Sequence, residues 1–331
     1  MIGGEGGHGI EMSSMIAIPE LEPAAIRAAH RGIDPAFTDS PQFVQEGLSA
    51  RLGAPVVVKV ETVNPIRSFK GRGAWLAVHR LASEGRIGPH RPLVCASAGN
   101  FGQGVAYAAR SLGQRVVVFA SRNANAAKVD RMRHLGAEVV IAGEDFDVAR
   151  AASQSWAREH DAELLVDGED PRNASGAATM ALEITDAVDG GTLPPLAVAS
   201  VPVGNGALIN GVGSWLRGSA PACRIVGVQA AGAPAMTLSW RVGRPIDTPT
   251  VDTYADGIAA RVAIPAAVAA MAGRVDDMIL VGEDELRAAQ AELTAELGIT
   301  VEGAAAASWA GLLAGPRPDG AALVIVTGSN V

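Results

Sequence analysis

The sequence predicts an α/β protein made of two open, twisted, mostly parallel sheets with a ligand cleft between them. Three observations lead there. Short β-branched runs alternate with longer amphipathic ones along most of the chain, the pattern of a parallel sheet covered by helices. These runs are too many for one comfortable sheet. The 331 residues, 48% hydrophobic, give room for about two cores. The expected division is a larger domain from residues 1–90 and 170–331 and a smaller α/β domain from residues 91–169.

Taken in order, Met1 to Met15 is Gly-rich and has no apolar stretch, so it predicts a flexible leader rather than a signal peptide. Residues 16–54 are broken by Pro19, Pro23, Pro35 and Pro41 and end in an expected helix from Pro41 to Leu52. The alternation then begins with a strand Val56–Val60 and a helix opening near Lys70. It continues with strand Leu93–Ala96 and helix Phe101–Leu112, then strand Arg115–Ala120 and helix Ala124–Leu135. Strand Glu138–Ile141, helix Phe146–Glu159, strand Glu163–Val166 and a helix from about Ser175 to Val188 follow. Strands at Leu196–Val203, Arg224–Gln229, Met278–Val281 and Ala322–Thr327 complete the pattern. In the helix Glu283–Leu297, Leu286, Ala289, Leu293 and Leu297 share one face at helical spacing, which marks that face as core.

Composition excludes several classes. The net charge is −8, with 35 acidic against 27 basic residues and the arginines scattered, so no nucleic-acid surface is expected. No run approaches the roughly 20 apolar residues of a membrane span. Cys95 and Cys223 both fall in apolar strand-like runs without Cys-x-x-Cys spacing, which predicts buried free thiols and a reducing, cytoplasmic setting. The histidines lack metal-ligand spacing, and no Gly-x-Ser-x-Gly elbow is present for a serine hydrolase.

Chemistry points to Lys70. Lysine occurs three times, at 59, 70 and 128, against 24 arginines. Lys59 lies within a strand, and Lys128 on a polar helix face with Asn125, Asp130 and Arg131. Lys70 instead follows Asn64-Pro65, with Ser68 as an expected helix N-cap and Trp75, Val78 and Leu81 at helical spacing after it. In the first helical turn the positive end of the dipole works against a cation, which suits an amine used as a nucleophile. Three further stretches end strands, where open α/β sheets bind ligands. Ser97-Ala98-Gly99-Asn100 offers a hydroxyl, an amide and free N–H groups for a carboxylate. Gly204-Asn205-Gly206-Ala207-Leu208 opens a helix in the manner of a phosphate cradle; lacking the third glycine of the dinucleotide fingerprint, it suits a single phosphate. Thr327-Gly328-Ser329-Asn330 ends the last strand.

In this order and spacing, Ser68-Phe69-Lys70-Gly71-Arg72-Gly73-Ala74, Ser97–Asn100, Pro202–Gly206 and Thr327–Asn330 resemble the fold-type II pyridoxal-phosphate enzymes, and most closely their threonine/serine dehydratase and serine racemase branch. Asp256-Gly257-Ile258-Ala259 and Val301-Glu302-Gly303-Ala304-Ala305 agree. The resemblance runs from about residue 55 to the end. It implies a tryptophan synthase beta-like fold with pyridoxal 5'-phosphate in the cleft, bound largely by the bigger domain. It implies that Lys70 holds the cofactor aldehyde as a Schiff base, Phe69 flanks the ring, Asn100 bonds its phenolic oxygen, and Gly204, Asn205, Gly206, Ala207 and Leu208 hold the phosphate. Thr327 would face the pyridine nitrogen, and Ser97, Ala98, Gly99, Asn100, Phe101 and Gly257 would border the amino-acid substrate. The implied activity is β-elimination from L-threonine, L-serine or a similar β-hydroxy amino acid to a 2-oxo acid and ammonium, by a cytoplasmic homodimer. Alternatives are β-replacement of the cysteine-synthase type and cofactor binding without turnover.

The sequence departs from that pattern in places. Ala98 stands where serine racemases carry a second catalytic hydroxyl, which favours elimination over racemisation. Phe101 replaces a frequent His, and Asn205 and Ala207 replace frequent glycines; these positions border the substrate or cofactor, so the side chain of the substrate stays open and extends to an aryl or larger β-hydroxy amino acid. Gln229–Ala235 lacks the carboxylates of the divalent-metal site of some relatives, so no such site is expected. The chain stops just past Asn330, so feedback through a C-terminal regulatory domain is not expected.

Overall fold

The computed structural model describes residues 15–331; the expected leader lies, but for its last residue, outside them. The first elements are α1 (Pro23–Gly32), β1 (Gln42–Val44), α2 (Glu46–Leu52), β2 (Val56–Val60) and α3 (Lys70–Ser83). An unbroken alternation follows: β3 (Leu93–Ala96), α4 (Asn100–Ser111), β4 (Val116–Ala120), α5 (Ala126–His134), β5 (Glu138–Ile141), α6 (Phe146–Glu159) and β6 (Glu163–Leu164). The rest is α7 (Pro171–Asp189), β7 (Leu196–Pro202), α8 (Ala207–Ser219), β8 (Arg224–Ala230), α9 (Ala235–Val242), α10 (Pro265–Met271), β9 (Asp277–Val281), α11 (Glu283–Leu297), α12 (Gly303–Ala314) and β10 (Ala321–Val326).

The strands form a six-stranded sheet in the order β1-β2-β10-β7-β8-β9 and a four-stranded sheet in the order β5-β4-β3-β6. Every pairing is parallel except that of β1 with β2. The expected helix from Pro41 to Leu52 is therefore corrected to a strand followed by a helix. Gln42–Val44 pairs with Val57–Lys59, and the Gln45 side chain accepts from the Leu48 amide at 2.5 Å to cap α2. A three-residue edge strand is too short to show alternation.

Side-chain alternation assigns the two faces of the larger sheet. Val57, Leu323 and Ile325 pack with Ile184, Ile209 and Val212 of α7 and α8. Val56, Val58, Val324 and Val326 pack on the other side with Leu286, Leu293 and Trp309 of α11 and α12. Leu286, Ala289 and Leu293 are buried, on the face of α11 that the sequence marks as core. On the smaller sheet, Cys95, Val116 and Val118 face α4 and α5, while Val94, Val117 and Phe119 face Ala149 and Ala157 of α6. Helix α3 adds Ala74, Ala77, Val78 and Leu81 to the former cluster. Cys95 and Cys223 are free and buried, and burial pushes both thiols up to about 12.

A closed charge cluster seats the start of α3. The fully buried Arg72 guanidinium donates to Glu61 at 2.8 Å through Nε and again through Nη2, and to Glu183 at 2.5 Å. Lys59 donates to Glu183 at 2.5 Å, to Gln42 at 3.0 Å and to the Ser40 carbonyl at 2.9 Å. Burial pushes the Glu183 carboxyl up, but hydrogen bonds from His30 and Arg72 and the charges of Arg72 and Lys59 overturn it and hold Glu183 below the usual carboxylate range. His30, Asp39 and Glu183 bring donor atoms within 4.8 Å of one another, yet both Glu183 oxygens are already engaged by Arg72 and Lys59.

Candidate active site

Strands β3, β7 and β10 end at one cleft, and the loops leaving them converge there as parallel α/β topology dictates. A cavity of about 750 Å³ occupies it. Phe69, Lys70, Ser97, Ala98, Gly99, Asn100, Phe101, Gly204–Leu208, Gly257 and Thr327 all line it. The strand-end residues that the sequence singled out thus come together in space.

Lys70 opens α3, and Phe69 rather than Ser68 is its N-cap. Ser68 instead reaches across to the last strand. Buried, it donates to the Thr327 carbonyl at 3.1 Å, while the Phe69 amide donates to the same carbonyl at 3.1 Å. The start of α3 is thereby tied to the end of β10. The Lys70 ammonium lies 5.0 Å from the centre of the Phe69 ring and 5.8 Å from that of Phe101, and donates to Asp167 Oδ2 at 2.6 Å. Sequence reasoning missed Asp167. It follows β6, so the strand-end rule that found the other loops points to it, but its loop lacks their Gly- and Asn-rich signature.

The Ser97 hydroxyl accepts from the amides of Gly99 at 3.1 Å and Gly102 at 2.8 Å, capping α4 from within its own loop. Asn100 is held from both ends: its amide donates to Glu302 at 2.9 Å and 3.2 Å, and its carbonyl accepts from Asn330 at 2.8 Å. Lys128 corrects the sequence reading. It is buried, not on a polar helix face, and reaches Asp256 at 2.6 Å and Glu302 at 3.1 Å. Burial works against its ammonium, but the Glu302 and Asp256 carboxylates outweigh that and push its pKa up. Burial, reinforced by Asp256, pushes the Glu302 carboxyl up against the pull of Lys128 and Asn100.

The opposite wall is the β7–α8 loop. Gly206 has φ +91°, and a Cβ on Gly204 would fall 2.4 Å from the Gly257 carbonyl oxygen, so the backbone itself forms the surface. The first amides of α8, a helix of 13 residues, have no carbonyl within the helix to pair with and sit at its positive end. A backbone cradle for an anion and a reactive amine in one cavity fit an aldehyde-bearing phosphate compound.

A model of the family described as pyridoxal-phosphate dependent enzymes matches residues 33–328. The chain belongs to that family. It is a pyridoxal-phosphate-dependent lyase, grouped with the threonine dehydratases. It is 34% identical to an L-threonine ammonia-lyase of Geobacter sulfurreducens over 86% of this chain and 69% of that protein. It is also 34% identical to a biosynthetic L-threonine dehydratase of Mycobacterium tuberculosis, over 94% of this chain and 72% of the relative. Among solved structures, threonine deaminase isoform 2 of Solanum lycopersicum superposes with a TM-score of 0.82 at 29% identity, covering 94% of this chain and 91% of that one. Maize serine racemase superposes with a TM-score of 0.82 at 26% identity, covering 92% of each. The expected α/β fold and dehydratase branch agree with these similarities. Among the described residues no helix is long and apolar enough to cross a membrane.

Proposed function

We propose that the protein eliminates the β-hydroxyl of L-threonine, L-serine or a similar β-hydroxy amino acid, giving a 2-oxo acid and ammonium. The observation that carries this reading is the placement of Lys70 in one cavity with the amide cradle of α8 and the Ser97–Asn100 loop. In this reading Lys70 holds the cofactor covalently, Gly204, Asn205, Gly206, Ala207 and Leu208 hold its phosphate, Phe69 flanks its ring, and Asn100 and Thr327 hydrogen-bond its edge. When bound, pyridoxal phosphate supplies an electron sink for the pair left on Cα. Thr327 offers that group a neutral hydroxyl rather than a charged partner. Ser97, the backbone of Ala98 to Phe101, and Gly257 surround the substrate carboxylate.

Lys70 takes the Cα proton on Nζ, within reach of the carboxylate that already accepts from it. Ala98 cannot hold a proton on the other side of the cavity, so elimination is favoured over racemisation. Phe69 and Phe101 place their rings beside the amine, with centres 5.0 Å and 5.8 Å from Nζ. We assign residues 1–90 and 170–331 to a larger, cofactor-binding domain and 91–169 to a smaller one; the separate sheets support this, while α3 packs on the smaller sheet. A cytoplasmic homodimer completes the proposal, and light scattering that reads a monomer would remove that part of it.

The test is visible absorbance of the purified protein with pyridoxal phosphate, repeated with L-threonine and L-serine while 2-oxo acid is assayed. A band that changes as oxo acid accumulates is expected. A β-replacement product with added thiol, without oxo acid, would refute the reading.

A further inference from the structure

We propose that Asp167 is a further catalytic residue: it carries the proton that Lys70 takes from Cα onto the departing β-hydroxyl. The proposal rests on the dehydratase reading above and concerns the source of the proton that turns a poor leaving group into water, for which the cofactor phosphate is the competing donor.

The geometry points to this carboxylate. Oδ2 lies 2.6 Å from Lys70 Nζ, within the range of a strong charge-assisted hydrogen bond, and 3.4 Å from Asn205 Nδ2 in the phosphate-cradle loop. Asp167 thus spans the gap between the base and the α8 cradle, and both it and Lys70 line the cavity. Its backbone is pressed onto that loop, since a Cβ on Gly168 would fall 2.7 Å from the Asn205 carbonyl oxygen. Oδ1 is buried and has no hydrogen-bond partner among the described residues, and Lys70 is the one cation that pairs with the side chain there. Glu61 and Glu183, by contrast, have both oxygens engaged. Asp167 has both its bonds on Oδ2, the shorter one from Lys70, and Lys70 is the group that must change its proton during the reaction.

The balance closes without a further reactant. The Cα–H bond breaks and an N–H bond forms on Lys70 Nζ. A proton passes from Nζ to Asp167 Oδ2 and from Oδ2 to the β-oxygen. The Cα–H electron pair becomes the Cα=Cβ bond, and the Cβ–O pair leaves with the oxygen as water. No oxidation occurs, and both side chains end as they began.

Asp167→Asn and Asp167→Ala test the proposal by leaving group. Each is loaded with pyridoxal phosphate, the visible band is recorded, and oxo-acid formation from L-serine is compared with that from β-chloro-L-alanine, whose chloride departs without a proton. The serine rate is expected to fall about a hundredfold relative to the chloroalanine rate. Because both substrates meet the same preparation, the ratio does not depend on how much of a variant folds or binds cofactor. An equal loss on both substrates, with a wild-type protein active on serine or threonine, would overturn the role of Asp167 and leave the dehydratase reading standing. A wild-type protein inactive on both hydroxy amino acids would overturn the two together.

Discussion

Two clusters of buried charge lie on either side of the first turn of α3, and their difference separates support from chemistry. Beneath the helix, Arg72 and Lys59 face Glu61 and Glu183, two cations against two anions. Arg72, Lys59 and Glu61 are fully buried, and the Lys59 and Arg72 donors are further satisfied by Ser40, Gln42 and Thr179. In the cavity, Lys70 faces Asp167, and Lys128 faces Asp256 and Glu302. Here Asp167 Oδ1 lacks a partner, Asp256 is half-exposed, and Lys70 remains open to the space in front of it. The same residue types are locked where every valence is filled and available where one is not. A saturated cluster fixes geometry; an unsaturated one beside a cavity can exchange partners with a ligand.

The sharpest break of this contrast is Lys70→Ala. It should abolish both the visible band and turnover while leaving the cofactor-free protein folded, because the side chain lies in the cavity and not in the core. Retained turnover in a stably folded variant would remove Lys70 from the chemistry. The mirror experiment is Glu183→Gln, which leaves Arg72 and Lys59 short of a carboxylate and should cost about 3–5 kcal/mol of stability. At temperatures where the variant is folded it should still form the band. Urea unfolding followed by far-UV circular dichroism checks the first part, and a wild-type midpoint would show that the cluster holds nothing together.

What could be read from the sequence divides along the same line. Lys70 stood out because lysine is scarce and because a turn and a helix start flank it, both local signals. The Ser97 and Gly204 loops were legible because glycine and small polar residues at strand ends are local too. Lys128 was misread: its neighbours Asn125, Asp130 and Arg131 make a polar helix face, while the carboxylates that bury its amine arrive from Asp256 and Glu302, far along the chain. Asp167 escaped for a related reason: its strand was expected, but the meeting with Lys70 depends on how the sheets are set against each other. Strand β1 was lost because an edge strand of three residues has no period. Side chains paired by tertiary structure leave no mark on the sequence near either partner.

A pH titration sharpens the comparison with a smaller effect. The Glu183 carboxyl is held below its ordinary value of 4.5 in the folded state, so it binds fewer protons folded than unfolded just below that pH. Its stabilising share is fully present above the ordinary carboxylate range and fades as pH falls through and below it. Wild-type stability should therefore decline on acidification, and the decline should be shallower in Glu183→Gln. Parallel slopes in the two proteins would mean that acid sensitivity arises elsewhere.

The smallest effect belongs to a pair that resembles both clusters in contact distance and neither in setting. Arg115 donates to Glu138 at 2.7 Å between β4 and β5, with the side chains 57% and 54% exposed. Water screens the attraction, and holding two long side chains in register offsets much of what remains. Arg115→Ala should therefore change stability by about 0.5 kcal/mol or less, and it should leave the cofactor band and turnover as they are. Measured beside Glu183→Gln by urea unfolding, it isolates burial as the variable, since a short ion pair is broken in each case. A loss at Arg115 as large as that at Glu183 would show that ion-pair distance, not desolvation and saturation, sets the strength of the charge clusters, and the distinction between the seat of α3 and the cavity would lose its physical basis.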